Sequence, residues 1–138
     1  PKRGMTMIKS ATVTPNGFLQ SIDVRAHALH ADVTAELGSA DQAPGPHDYF
    51  DASLVACKTL TATWFAKKNG IPLERVEAEV ERNDTDERKG VYVLTVKLAF
   101  HGPLDDAQRA RLFDVVSRCP VHKLMTTTDV RIETVPLA

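Results

Sequence analysis

The sequence predicts an α+β fold in which long helices pack against a mostly antiparallel sheet. Three observations carry this expectation. From Pro46 to Asn69, apolar residues recur at spacings of three and four, the period of a helix. Residues 76–81 and 91–100 alternate between two faces, the period of a strand. A second helical stretch, 107–116, follows both strands.

Each element has its own local signals. Residues 5–13 hold β-branched side chains without helical spacing, and Pro15-Asn16-Gly17 is a strong turn signal. Phe18, Ile22 and Val24 then resume a strand pattern, so an N-terminal hairpin is expected. Residues 27–32 suit a third short strand, and 38–45 read as a loop placed to wall an active site. Gly70 and Pro72 close the long helix. Its expected core-facing side runs through Phe50, Ser53, Leu54, Cys57, Leu60, Thr61, Trp64 and Phe65, with Trp64 and Phe65 in the core. Ala52, Ala56, Ala62 and Ala66 keep the rest of the cylinder slim, so that neighbouring backbone can come close. Val76, Ala78 and Val80 alternate with Glu77, Glu79 and Glu81, as in a sheet with one wet face. The charged run 83–90 reads as a hairpin connection. Asp105 can cap the second helix, and a short helix is expected over 120–125. Val130, Ile132 and Val135 alternate with Asp129, Arg131 and Glu133 in an expected closing strand.

The 138 residues are most simply one domain spanning 1–138, and 43% hydrophobic content supplies a core. A net charge of -1, with basic and acidic residues interleaved, gives no face for gripping phosphates, so no nucleic-acid partner is expected. No stretch reaches the roughly 20 apolar residues that cross a bilayer. With no basic, apolar leader at its start, the chain is expected to be cytoplasmic, with no membrane partner.

Two cysteines carry the chemistry. Cys57 lies inside the long helix, and Cys119 precedes Pro120. Proline suits the first helical position, which puts Cys119 at an N-cap among unsatisfied N–H groups. That field is expected to favour its thiolate. The pair forms neither a zinc knuckle nor a Cys-x-x-Cys motif, and free cysteines are often small buried hydrophobes. A thiolate can nevertheless attack the O–O bond of a peroxide, and a second thiol can convert the sulfenic acid to a disulfide.

A cation would favour the reactive thiolate. Arg25 is the main arginine candidate, against a solvated strand position; Arg118 is the second, against a helix-end residue in water. Lys58 adjoins Cys57, but consecutive helical residues do not share a face, so it is a poor activating partner. His47, ten positions before Cys57, can line the same cleft and orient a peroxide or an arginine. His122 follows Cys119 closely and can take a similar part or cap the surface. Asp48, in the first turn, either meets the helix N-terminal field or anchors a cation over the thiolate. The histidines and cysteines form no dense ligand framework, so no metal site is expected.

The run from Gly45 through Pro46-His47-Asp48-Tyr49-Phe50-Asp51-Ala52-Ser53-Leu54-Val55-Ala56 to Cys57 resembles the OsmC/Ohr family of osmotically induced and organic-hydroperoxide-resistance proteins. Residues 66–76 and the motif Cys119-Pro120-Val121-His122-Lys123 extend the resemblance in the same order. It implies an OsmC-like α+β fold in an intertwined homodimer with active sites at the subunit interface. It also implies Cys57 as the peroxidatic and Cys119 as the resolving cysteine, reducing organic hydroperoxides to alcohols. The implied reductant is an external dithiol or lipoylated protein, with no cofactor or metal. Where the family's hydroperoxide reductases carry a glutamate after the proline, this chain has His47-Asp48, and its Pro15-Asn16-Gly17 turn lacks their arginine. The sequence therefore sits nearer the broader OsmC-like branch, with Arg25 as the replacement cation. The alternatives are a stress-related binding or structural dimer, and a thiol–disulfide exchange protein.

Overall fold

The structure, a computed structural model, describes residues 4–138. The chain divides within its long helix into two compact units, 4–50 and 51–138.

In the first unit, strands β1 (Ile8–Thr12), β2 (Gln20–Val24) and β3 (His27–Ala31) form an antiparallel meander in the order β1-β2-β3. The expected turn is present: Gly17 N–H donates to Thr14 O at 3.0 Å, and Asn16 adopts φ 61°. Asparagine tolerates that left-handed backbone better than most residues. Arg25 and Ala26 link β2 to β3, with Arg25 at φ 55°. The following loop is built on the buried Asp32. Its carboxylate accepts from Val33 N at 2.7 Å, Ser39 Oγ at 2.5 Å and Gln42 N at 2.8 Å. These bonds hold its pKa below the usual carboxylate value, the Ser39 bond most and Gln42 next, against the opposing effect of burial. The loop also contains a 3₁₀ turn, Ala35–Leu37, which carries no sequence signal as clear as the glycines around it.

Helix α1 is Pro46–Asn69, as its caps predict. Gly45 precedes proline at N1, and Asp48 Oδ2 accepts from Gly45 N at 2.9 Å, one arm of a capping box. At the other end Gly70 turns left-handed (φ 63°), and Ile71 N–H donates to Ala66 O at 2.9 Å, a Schellman closure.

In the second unit, β4 (Arg75–Asn83) and β5 (Val93–His101) form an antiparallel hairpin in register from Arg75↔His101 to Asn83↔Val93. Val76, Ala78 and Val80 lie opposite Phe100, Leu98 and Val96, so the expected alternation makes one covered face. Helix α2 (Asp106–Val116) begins at a complete capping box, with Asp105 Oδ1 accepting from Gln108 N and Gln108 Oε1 accepting from Asp105 N. Gly102 (φ 137°) makes the bend before it. A Cβ there would stand 2.4 Å from Pro72 O. Helix α3 (Pro120–Thr126) follows.

The core of this unit gathers Ala62 and Ala66 of α1, Ile71, Phe100 of β5, and Leu112 and Val116 of α2. The alanines let the second helix and the hairpin approach the α1 backbone, as expected. Three expectations are corrected. The strands form two antiparallel sheets, one of three strands and one of two. The buried face of α1 is Asp51, Leu54, Lys58, Ala62 and Ala66, whereas Leu60 and Trp64 are 69% and 60% exposed. Phe65 does pack against the core. Residues 127–138 have no regular structure, so the expected closing strand is not formed. Alternation supplies a strand with two faces, but only a neighbouring edge supplies its hydrogen bonds, and among the described residues this segment pairs with none.

Candidate functional site

Cys57 projects from the middle of α1 and is half-buried. Its Sγ accepts a hydrogen bond from Val121 N at 3.4 Å and lies 3.9 Å from Thr61 Oγ1. Val121 is the second residue of α3, where the backbone N–H has no carbonyl of its own helix to meet. The start of α3 thus faces the thiol of α1.

Cys119 is the N-cap of α3, with Pro120 at N1 as the sequence predicts. It is completely buried. Its thiol neighbours that of Cys57, so the fold brings together the two sulfurs that the sequence singles out. Burial pushes the Cys119 thiol above its usual pKa, and the Cys57 thiol adds to the rise. The His122 backbone N–H and the charge of Lys58 pull downward but do less. The expectation of a helix-start thiolate at Cys119 is therefore overturned. Desolvation of a fully enclosed sulfur outweighs the field of so short a helix.

Lys58 is buried against the end of α2. It is 4% exposed, and its Nζ donates to Val116 O at 2.7 Å and lies 3.3 Å from His122 Nδ1. These contacts carry its ammonium to the α2–α3 link that holds Cys119. His122 is brought to this cluster; Arg118 is not, its guanidinium pairing with Asp114 on the exposed side of α2 at 2.5 Å.

A second polar group on the buried face of α1 leaves no trace in the apolar periodicity. Asp51 is 5% exposed and accepts from Arg82 Nε at 2.5 Å and from Tyr92 Oη at 2.8 and 3.0 Å. Burial, then the Asp51 hydrogen bond, raises the Tyr92 pKa. The usable signal lay in the alanines: stepping back from Ala66 and Ala62 by four, and on by three or four, gives Lys58, Leu54 and Asp51.

The remaining candidates belong to the 4–50 unit. Arg25 occupies the exposed β2–β3 turn, where its backbone makes the reversal. His47 is exposed in the first turn of α1, and Asp48 caps that helix through Gly45. Among the described residues, no group of three or more His, Cys, Asp or Glu is placed to share a metal ion. No described helix is long and apolar enough to cross a membrane.

Residues 38–135 match the family described as OsmC-like protein. No curated protein matches the chain. Among solved structures, an OsmC-like protein from Mycoplasma pneumoniae superposes with a TM-score of 0.70 at 20% identity, over 91% of this chain and 90% of its own. An organic hydroperoxide resistance protein OsmC from Legionella pneumophila, described as a predicted redox protein, gives 0.63 at 22% identity over 92% and 93%. The organic hydroperoxide resistance protein OhrB of Bacillus subtilis gives 0.58 at 20% identity over 89% and 91%. At these identities the structures speak for the fold, and the family match spans both cysteine motifs. This chain belongs to the family of OsmC-like proteins.

Proposed function

We propose that this protein reduces organic hydroperoxides with its two cysteines. The observation that carries the reading is the meeting of Cys57 and Cys119 at the start of α3, with an N–H donor on the half-buried sulfur. The association of the family with hydroperoxide resistance supports it.

In this reading the Cys57 thiolate attacks the distal oxygen of the peroxide. The O–O bond breaks, Cys57 becomes a sulfenic acid, and the alkoxide takes a proton to leave as alcohol. The Val121 N–H faces the sulfur on which negative charge resides before attack, a favourable dipole that needs no rearrangement. Cys119 then attacks the sulfenic sulfur, and water leaves as the disulfide forms. An external dithiol, free or as a lipoyl group on a protein, restores both thiols and becomes a disulfide itself. The greater exposure of Cys57 fits it to meet substrate, and the enclosure of Cys119 fits it to a purely internal role.

The working unit in this proposal is a homodimer with interface active sites. Leu60, Trp64 and Phe113 leave apolar area in water on α1 and α2, more than isolated surface residues need. Arg25, His47 and Asp48 are assigned supporting roles there. Arg25 is the activating cation, His47 orients the peroxide, and Asp48 fixes the start of α1.

The test is stopped-flow oxidation by an organic hydroperoxide, read alongside intact mass. The wild-type chain should oxidise rapidly to an intramolecular disulfide. Cys57→Ala should abolish the fast phase, and Cys119→Ala should leave Cys57 as a sulfenic or over-oxidised product. Oxidation of the wild type no faster than that of a free thiol would refute the assignment.

A further inference from the structure

We propose that Lys58 is a positioning residue for Cys119, its ammonium being the buried cation that favours negative charge on that sulfur as it enters or leaves a disulfide. The inference rests on the redox reading above and adds a residue that the sequence had set aside.

The geometry is specific. Val116 is the last residue of α2 and His122 lies in the first turn of α3, so the Lys58 ammonium bridges the two ends of the link that carries Cys119. An ammonium has donors and no acceptor, so toward it His122 Nδ1 can serve only as an acceptor. Neither hydrogen-bond partner of Lys58 is a carboxylate. Among the described residues no carboxylate pairs with it. A buried ammonium without a full counter-charge is costly to keep. The helix-end carbonyl of Val116 offers only a partial negative charge. A thiolate on Cys119 would supply the full one. The other groups around Cys119 do not take that part: Cys57 of α1 is itself a thiol, His122 contributes a backbone N–H, and Arg118 is engaged with Asp114.

The charge matters in two steps. When Cys119 attacks the Cys57 sulfenic acid, it must do so as a thiolate; the new S–S bond forms as hydroxide leaves and takes a proton to become water. When an external dithiol restores the enzyme, one of its thiolates attacks Cys57. The Cys57–Cys119 bond breaks, and its electron pair leaves on Cys119 beside Lys58. The second thiol of the reductant then displaces Cys57, and two protons complete the two thiols. Enclosure by itself makes Cys119 a poor leaving group. The ammonium offsets that enclosure at the moment charge develops.

The test isolates Cys119 in a Cys57→Ser background and follows its alkylation by iodoacetamide as a function of pH. Lys58→Gln keeps a donor and loses the charge, Lys58→Met keeps the length in an apolar form, and Lys58→Arg keeps the charge. The neutral variants should move the pH midpoint of alkylation upward, and a midpoint one pH higher leaves about tenfold less thiolate near neutrality. The arginine variant should stay near the parent. A structural role would change rates at every pH without moving the midpoint. An unmoved midpoint in a folded neutral variant overturns the proposal. So does failure of both neutral variants to fold while the arginine variant folds, which would make the ammonium a prop for the link. A wild-type chain inert to peroxide would refute the redox reading and leave this titration standing; an unmoved midpoint in a peroxide-reactive chain would refute the role of Lys58 alone.

Discussion

The backbone N–H of Val121 donates to Cys57 Sγ at 3.4 Å, tying the middle of α1 to the start of α3. Because Cys119 caps that same helix, mild oxidation should link the two sulfurs within one chain. A disulfide closing so long a loop stabilises the folded state by about 4 kcal/mol where native geometry is kept. Oxidised wild-type protein should therefore unfold at higher urea than the reduced form, and Cys57→Ser should lose that difference. Predominant linkage between chains on mild oxidation would contradict the arrangement.

The Asp51 carboxylate is held between Arg82 and Tyr92, joining α1 to β4 and to the residue just before β5. Asp51→Ala leaves a half-buried guanidinium and a phenol without their shared acceptor. We expect a loss of about 3 kcal/mol, at the lower end for a broken buried pair because Arg82 keeps some access to water. Tyr92→Phe removes hydrogen bonding only and should cost about 1 kcal/mol. Urea midpoints of the two variants check the order; equal losses would assign the stabilisation to the tyrosine.

Stability should fall at both ends of the pH scale for different reasons. The folded pKa of Asp32 lies below its ordinary 3.8, so its contribution is complete above that value and is lost as pH falls through the lower folded value. Asp32→Asn should thus differ from wild type at neutral pH, with the gap closing in acid. Cys119 and Tyr92 are raised above 9.0 and 10.0, so their contributions are complete below those values and are lost as pH climbs past them. Cys119→Ala combined with Tyr92→Phe should flatten the alkaline limb. Denaturation midpoints across pH provide the measurement.

Periodicity located the elements because it reports on backbone conformation, and caps such as Gly45-Pro46 and Asp105 fixed their ends locally. The same periodicity misassigned the buried face of α1. Trp64 and Leu60 are apolar yet exposed, while Lys58 and Asp51 are charged yet enclosed. Hydropathy measures the cost of leaving water, not the partners found on leaving it, and those partners come from β4, the residue before β5, α2 and α3. The cysteine pair was legible through the proline after Cys119. The protonation preference of Cys119 was not, because burial is a property of the packed chain. The closing strand failed for a similar reason: the alternation of 130–135 states a conformational preference but names no edge to pair with.

The alanines of α1 set how closely α2 can approach. Ala62 is completely buried and shares a cluster with Phe100, Leu112 and Val116. Ala62→Leu forces extra volume into that contact and should cost about 1–3 kcal/mol. Leu112→Ala, at another fully buried position, should cost about 2–5 kcal/mol through the cavity it leaves. If the two side chains share one packing space, the added leucine fills part of that cavity. The double variant should then lose less than the sum of the single losses, by about 0.5–3 kcal/mol, as contacting sites do. Urea unfolding of the four proteins supplies the cycle. Strict additivity would mean that α2 meets α1 elsewhere and that the small residues do not set the spacing.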